Sequence, residues 1–451
     1  MRMPRNFENI FNFHWTWPRP SAYSGCQTGN EARTLMATRP TQPAAQAPSY
    51  LVPFIIVTAL FGFFGFLTNL NSNLMPQLKS IFNLSYGPAM AATVAWFFAY
   101  LVFSVPSAKL IEAVGYKRTM VISLFVMTVG ALLFAPAASM VSFPLFMTAI
   151  FVLAAGVTAL QTSANPYVSI LGPEHSAPAR LTLAQAFNSL GAALAPLVVV
   201  HFILTNPSKT ASKASIAHTV QGPYVVIAAA LFVLGVAVMF MHLPAITATR
   251  EFRPAKPGDP VAGRSIWSYR HTVLGMVGIF FYVGIEIALA AIAISFFRTQ
   301  GVTDDSLIAF LALLYYLLIG AGRFVGTVLM KWIKAQTLLG FLGFLGVALL
   351  LVAMFSHGMV AVWSLVLCGV ANSIMYPTIF ALGIAELGPL TSEGSGIITM
   401  GNVGGAVIPF LLGALADKVG IQYAFIIPIV CYLYVSYYGL SGCKPRRAAT
   451  A

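Results

Sequence analysis

From Tyr50 to about Leu440 the chain consists of long apolar runs separated by short polar breaks. Twelve such runs begin near Tyr50, Pro88, Arg118, Phe143, Arg180, Tyr224, His271, Ser306, Gln336, Gly358, Gly394 and Gly420. Crossing the hydrocarbon takes roughly 20 apolar residues per helix. The pattern therefore predicts an all-α polytopic membrane protein with twelve transmembrane helices and little room for a soluble domain.

Polar residues interrupt this pattern at a few places. Gln161 and Asn165 lie four apart in the fourth run, and Gln185 and Asn188 three apart in the fifth, so each pair shares a helix face. A lipid-facing amide finds no water to replace its hydrogen bonds, so these groups belong on a protein-lined, solvated path. Amides donate and accept, which suits a neutral, hydroxyl-rich solute better than an ion. In the first run Asn69, Ser72 and Asn73 share a face, and Leu74-Met75-Pro76 follow, so this cluster also falls at membrane depth. Glu286 is placed well inside the seventh run. Charging it in hydrocarbon costs about 2.5–3.5 kcal/mol or more, so it faces a cavity, pairs with a cation or stays protonated. Arg323 is the candidate cation, and Tyr282, one turn before Glu286, could stack on a ligand ring or bond the carboxylate.

Composition narrows the class. Of 451 residues 58% are hydrophobic and 8% charged, with a mean hydropathy of +0.83 and a net charge of +13. In a soluble protein that charge would suggest nucleic acid, but its distribution decides otherwise. With both termini cytoplasmic, the outer connections keep only Lys79, Lys209, Lys213, Arg298 and Lys418 of the 25 Lys and Arg, and Lys109 and Arg323 lie within spans. The positive-inside rule thus gives an N-in, C-in topology. The cysteines (Cys26, Cys368, Cys431, Cys443) show no paired spacing, and there is no Cys/His metal pattern, phosphate-binding loop or catalytic set. Neither an enzyme, a metal site nor a cofactor is expected.

Residues 1–47 read as a disordered cytoplasmic tail without a secretory signal, and Met36 is a natural start. A first six-helix bundle is expected over 48–246, a cytoplasmic loop over 247–270, a second bundle over 271–441 and a short tail over 442–451. The halves resemble each other. Asn188-Ser-Leu-Gly-Ala-Ala-Leu-Ala-Pro196 parallels Asn402-Val-Gly-Gly-Ala-Val-Ile-Pro409 with the proline one position off, and Ala-Asn165-Pro166 parallels Ala-Asn372-Ser-Ile-Met-Tyr376-Pro377. Gly/Pro-interrupted segments at matching places in two halves mark the binding site of a secondary transporter. Tyr315-Tyr316 reads as packing or lipid-facing.

These residues resemble a known family. Gln161-Thr-Ser-Ala-Asn-Pro-Tyr-Val-Ser-Ile-Leu-Gly-Pro-Glu174, Arg180-Leu-Thr-Leu-Ala-Gln-Ala-Phe-Asn-Ser-Leu-Gly191, Asn372-Ser-Ile-Met-Tyr-Pro-Thr-Ile-Phe380 and Thr391-Ser-Glu-Gly-Ser-Gly-Ile-Ile are similar to the fucose/galactose/glucose permease branch of the major facilitator superfamily. The resemblance implies two pseudo-symmetric six-helix bundles rocking around a central sugar site. Asn69, Gln161, Asn165, Gln185 and Asn188 would contact sugar from the first half, and Tyr282, Glu286, Asn372, Tyr376 and Asn402 from the second. The segment Ala108-Lys-Leu-Ile-Glu112-Ala-Val-Gly115-Tyr-Lys117-Arg118 resembles the superfamily's signature loop, so Glu112, Lys117 and Arg118, with Arg323, would serve the gate. Two departures stand out: Ser72 and Gln161 occupy positions that are acidic in the fucose permease. Neither titrates, so Glu286 has taken over proton coupling, or sodium couples, or transport is passive. The expectation is a monomeric hexose transporter of the bacterial inner membrane, embedded in lipid, using H+ or Na+ or neither. N-acetylglucosamine or fucose permeases of the same fold are the alternatives; a pore or sensor fits less well.

Overall fold

The structure, a computed structural model, describes residues 51–82, 86–140, 142–202, 213–241, 243 and 265–445. The expected tail 1–47, most of the connection 247–270 and the side chains of Asn71, Ser72 and Asn73 lie outside the described residues.

Twelve long helical segments follow one another: α1 (Leu51–Phe82), α2 (Tyr86–Val114), α3 (Tyr116–Ser139), α4 (Phe143–Ile170), α5 (Ala177–Phe202), α6 (Lys213–Phe240), α7 (Arg270–Thr299), α8 (Asp305–Leu329), α9 (Ala335–Phe355), α10 (Met359–Gly383), α11 (Gly388–Val419) and α12 (Ile421–Gly442). Ten are long and apolar enough over their described residues to cross a membrane, and the apolar part of α1, Leu51–Leu67, is shorter. The start of α6 lies eleven positions before the expected Tyr224, and Lys79 and Lys213 fall within α1 and α6 rather than in loops. Helices continue past their apolar stretch because a polar helical turn keeps its backbone bonded in water as well as in lipid. Apolar side chains such as Phe240, Phe341, Phe355 and Phe410 are exposed on the outside, as a hydrocarbon solvent requires.

The packing scheme repeats with a shift of six helices. In the first set α1 packs on α5, α2 on α4, and α3 on both α4 and α6; in the second α7 packs on α11, and α9 on both α10 and α12. Between the sets, α2 meets α11 as α8 meets α5, and α4 meets α11 as α10 meets α5. This is an approximate two-fold arrangement of two six-helix sets.

The repeat has a register that sequence matching misplaced. A Cβ on Gly191 would collide with the Gly62 carbonyl on α1, and one on Gly404 with the Phe280 carbonyl on α7. These glycines, each five residues before a proline (Pro196, Pro409), are the equivalent positions, and small residues are what let membrane helices cross this closely. Aligning Asn188 with Asn402 puts the prolines out of step because Asn188 precedes Pro196 by one residue more than Asn402 precedes Pro409. The same holds for α4 and α10. Aligned on Pro166 and Pro377, Gln161 matches Asn372 and Asn165 matches Tyr376, replacing the asparagine-to-asparagine match.

Leucine at Gly404 forces α11 off α7, an overpacking cost of at least about 1–3 kcal/mol. Gly404→Leu should lower the melting temperature of the detergent-purified protein, whereas Gly413→Leu, which has open space around it, should not.

Candidate functional site

The prolines of α4 and α10 set the site. A proline has no N–H, so the carbonyl four residues earlier loses its helical donor. Below Pro166 that carbonyl is Thr162 O, and Ser395 of α11 donates to it at 2.6 Å. Below Pro377 it is Ser373 O, and Arg323 Nε of α8 donates to it at 3.1 Å. α10 is broken at this point, with Ser373 ending one helix and Ile374 starting the next. In hydrocarbon these carbonyls would be orphans; here side chains of neighbouring helices satisfy them.

Around the breaks, side chains from both helix sets meet. The Tyr376 hydroxyl donates to Gln161 Oε1 at 3.3 Å, Asn165 Nδ2 lies 3.5 Å from the same hydroxyl, and Gln185 Nε2 donates to Asn165 Oδ1 at 3.4 Å. These long bonds tie α10 to α4, and α4 in turn to α5. Asn402 adjoins the Tyr376 hydroxyl and also bonds Thr399 O at 2.8 Å. The Tyr376 ring lies 6.1 Å from Tyr282 and stacks on Phe380 at 6.2 Å. Deeper in the second set, Asn372 donates to Tyr315 Oη and accepts from Tyr432 Oη, both at 2.8 Å. Gln161 also borders a small apolar hollow between α1 and α4, lined by Leu60, Phe61, Phe64, Leu160 and Ala164.

Gln161, Asn165, Gln185, Tyr282, Glu286, Asn372, Tyr376 and Asn402 are thus neighbours in one polar cluster. Asn188 and Asn69 are placed differently. Asn188 Nδ2 bonds Phe61 O at 3.1 Å, at the α1–α5 crossing, and Asn69 Nδ2 bonds Gly65 O of its own helix at 3.3 Å. Tyr315 was read as packing or lipid-facing. It is buried and bonded, while its neighbour Tyr316 is exposed; one residue along a helix turns the side chain by about 100°. Sequence reasoning missed Tyr432, Ser189 and Ser395, whose residue types carry no signal until their partners are known.

Arg323 is buried and donates to Ser373 O, to Gln185 O at 3.0 Å and to Ser189 Oγ at 2.5 Å. A direct pair with Glu286, one of the options the sequence leaves open, is not formed: among the described residues the guanidinium has no carboxylate within 4.0 Å. Both side chains instead adjoin the fully buried Tyr282 hydroxyl, which has no well-formed hydrogen bond.

At the end of the bundle carrying the α2–α3, α4–α5 and α10–α11 connections, the two sets touch. Ser392 Oγ bonds Glu112 Oε1 at 3.0 Å, Glu386 N bonds Glu174 Oε1 at 3.0 Å, and Gly396 packs on Ala108 and the Ser104 carbonyl. Glu386 is held at φ 57°, an unusual backbone for a non-glycine residue. Glu112 therefore bridges the sets, though to a hydroxyl. Lys117 does not: Nζ bonds Met239 O at 2.8 Å, capping the last turn of α6 in its own set. Arg118 is exposed.

A twelve-helix membrane bundle with two-fold repeated halves, broken helices and a polar cluster between them is the build of a secondary transporter. Comparison with known proteins specifies the family. The sequence profile of the Major Facilitator Superfamily matches residues 54–402. The chain is 42% identical over 390 residues to the glucose/galactose transporter of Brucella abortus biovar 1 (strain 9-941), covering 86% of this chain and 93% of that one. It is 33% identical to the L-fucose-proton symporter of Escherichia coli (strain K12), covering 87% and 93%. Its fold superposes on the crystal structure of FucP, a major facilitator transporter in the outward conformation, with a TM-score of 0.79 at 32% identity, covering 87% and 99%. The chain belongs to the major facilitator superfamily.

Replacing Asn372 by leucine leaves the buried Tyr315 and Tyr432 hydroxyls without their amide, a cost of about 1–3 kcal/mol. Asn372→Leu should lower the melting temperature, and Tyr315→Phe with Tyr432→Phe in that background should restore part of the loss.

Proposed function

We propose that this protein carries a hexose, of the glucose or galactose kind, across the bacterial inner membrane by alternating access. The observation that carries this reading is the Gln161–Tyr376–Asn165–Gln185 chain of neutral donors and acceptors joining the two helix sets at the proline breaks. Sugar hydroxyls, each donor and acceptor, can replace these long bonds one for one, and the Tyr282 and Tyr376 rings offer apolar faces to a pyranose. The similarity to a glucose/galactose transporter is greater than that to an L-fucose-proton symporter, which favours the hexose over fucose.

With both termini cytoplasmic, the end closed by Glu112–Ser392 and Glu174–Glu386 is the cytoplasmic one. Opening this end requires breaking those contacts together with Ser395–Thr162. At about 0.5–1.5 kcal/mol for a neutral hydrogen bond and about 1.5–3 kcal/mol for one to a carboxylate, the closure is reversible on the scale a transporter needs. Every group named lies in one chain, so a monomer suffices, with lipid around it.

Gln185→Ala removes one buried amide contact of about 1.4 kcal/mol and should lower uptake of labelled glucose and galactose roughly tenfold at unchanged membrane level. Tyr376→Phe should behave likewise. Near-normal uptake by both variants would overturn the assignment of the site.

A further inference from the structure

Among the described residues Glu286 is the carboxylate placed deepest within a span, and no guanidinium or ammonium touches it. The side chains that face it or its neighbours are Tyr282 on its own helix, Tyr315, Tyr316 and Arg323 from α8, Cys368 and Tyr376 from α10, and Tyr432 from α12. α11 meets this stretch of α7 with Gly404 and Ile408, which do not titrate. Arg323 is therefore the cation in the group, and it is held away from the carboxylate by its other partners. Two of its three acceptors, Gln185 O and Ser189 Oγ, belong to α5 of the opposite helix set. The third, Ser373 O, belongs to its own set.

This arrangement has a mechanical consequence. Gln185 lies near the start of α5 and Arg323 near the end of α8, so both sit toward the end closed by Glu112 and Glu174. Parting the sets at that end strips two acceptors from a guanidinium that is 7% exposed. A buried cation deprived of acceptors moves to the nearest anion, and Glu286 is reached across the shared Tyr282 hydroxyl. We propose that Glu286 is the proton carrier of this transporter and that Arg323, released from α5 when the cytoplasmic end opens, discharges it. In the closed arrangement the carboxyl takes a proton from the outer side. On opening, the guanidinium pairs with the carboxylate and the proton leaves to cytoplasmic water. The neutral Glu286–Arg323 pair then accompanies the empty return, and re-docking of α5 on α8 withdraws Arg323. The proton is bound on one side and released on the other without Ser72 or Gln161 titrating.

The inference rests on the sugar-carrier reading, and one set of measurements separates the two. Purified protein is reconstituted with a trapped pH-sensitive dye, and galactose-driven proton influx is recorded alongside galactose counterflow. For the unaltered protein galactose should drive protons inward. In Glu286→Gln the ratio of proton to galactose flux should fall at least tenfold. In Arg323→Gln, accumulation relative to counterflow should fall at least tenfold, with Arg323→Lys partly restoring it. Counterflow without proton influx in the unaltered protein would overturn the coupling and leave the carrier standing. Absence of counterflow with both glucose and galactose would overturn the two together. Should Glu286→Gln move no sugar, infrared difference spectra decide. A protonated-carboxyl band that vanishes in Glu286→Gln and persists to higher pH in Arg323→Gln supports the assignment, and a band indifferent to both substitutions refutes it.

Discussion

Two backbone carbonyls hold the key to this bundle. Pro166 and Pro377 remove the donors of Thr162 O and Ser373 O in the middle of a membrane protein, where no lipid can replace them. Each is rescued by a side chain from another helix, Ser395 and Arg323 respectively. The rescue of Thr162 crosses between the helix sets, and the arginine that rescues Ser373 also reaches across to α5. Satisfying the breaks and joining the halves are thus the same act, and a change in how the halves meet must change which groups satisfy them. α10 breaks, and α4 passes through its proline unbroken, at the level where Gln161, Asn165, Asn372 and Tyr376 come together.

The contacts between the sets share a chemistry suited to repeated making and breaking. They are single hydrogen bonds among hydroxyls, amides, backbone groups, the Glu112 and Glu174 carboxylates and the Arg323 guanidinium. The described cross-set contacts include no ion pair within 4.0 Å, although Glu112, Lys109 and Glu393 lie close enough to influence one another. A fully desolvated ion pair would be costly to separate, whereas each of these bonds is worth about 0.5–1.5 kcal/mol net between neutral groups and about 1.5–3 kcal/mol where Arg323 or a carboxylate takes part. Glycines supply the complement. At the α1–α5 and α7–α11 crossings within each set, Gly191 and Gly404 bring backbones into contact. The sets are therefore internally close-packed and mutually held by weaker, exchangeable bonds, which is the condition for rigid-body rocking.

Much of this was legible from residue types alone. The twelve spans follow from apolar run length, and the polar cluster follows from amides at i, i+3 and i, i+4 where only protein can solvate them. The internal repeat was visible but read in the wrong register, because identical letters (Asn165 and Asn372, Asn188 and Asn402) outweigh proline spacing to the eye. Geometry reverses that weight: the proline fixes which carbonyl is freed, and the glycine fixes which backbone can approach. Asn188 and Lys117 were assigned to the site and gate on type and resemblance, yet both bond backbone within their own set, at Phe61 and Met239. Partner choice of that kind depends on helix rotation, which a single sequence does not encode locally. Tyr315 and Tyr316 show the same limit, since of two adjacent identical residues one is buried and bonded and the other exposed.

The claim that the two helix sets rock as units around the Gln161–Tyr376 junction is tested most directly by measuring a distance across the closed end. Nitroxide labels at His175→Cys and Lys334→Cys, both exposed and on opposite sets, would be introduced after replacing the native cysteines. Pulsed electron resonance would then give the distance distribution in liposomes with and without galactose. The account predicts two populations, a shorter one matching the closed end described here and a longer one, whose proportions change when galactose is added. A single distance that galactose leaves untouched, in protein that still transports it, would contradict alternating access by rigid halves.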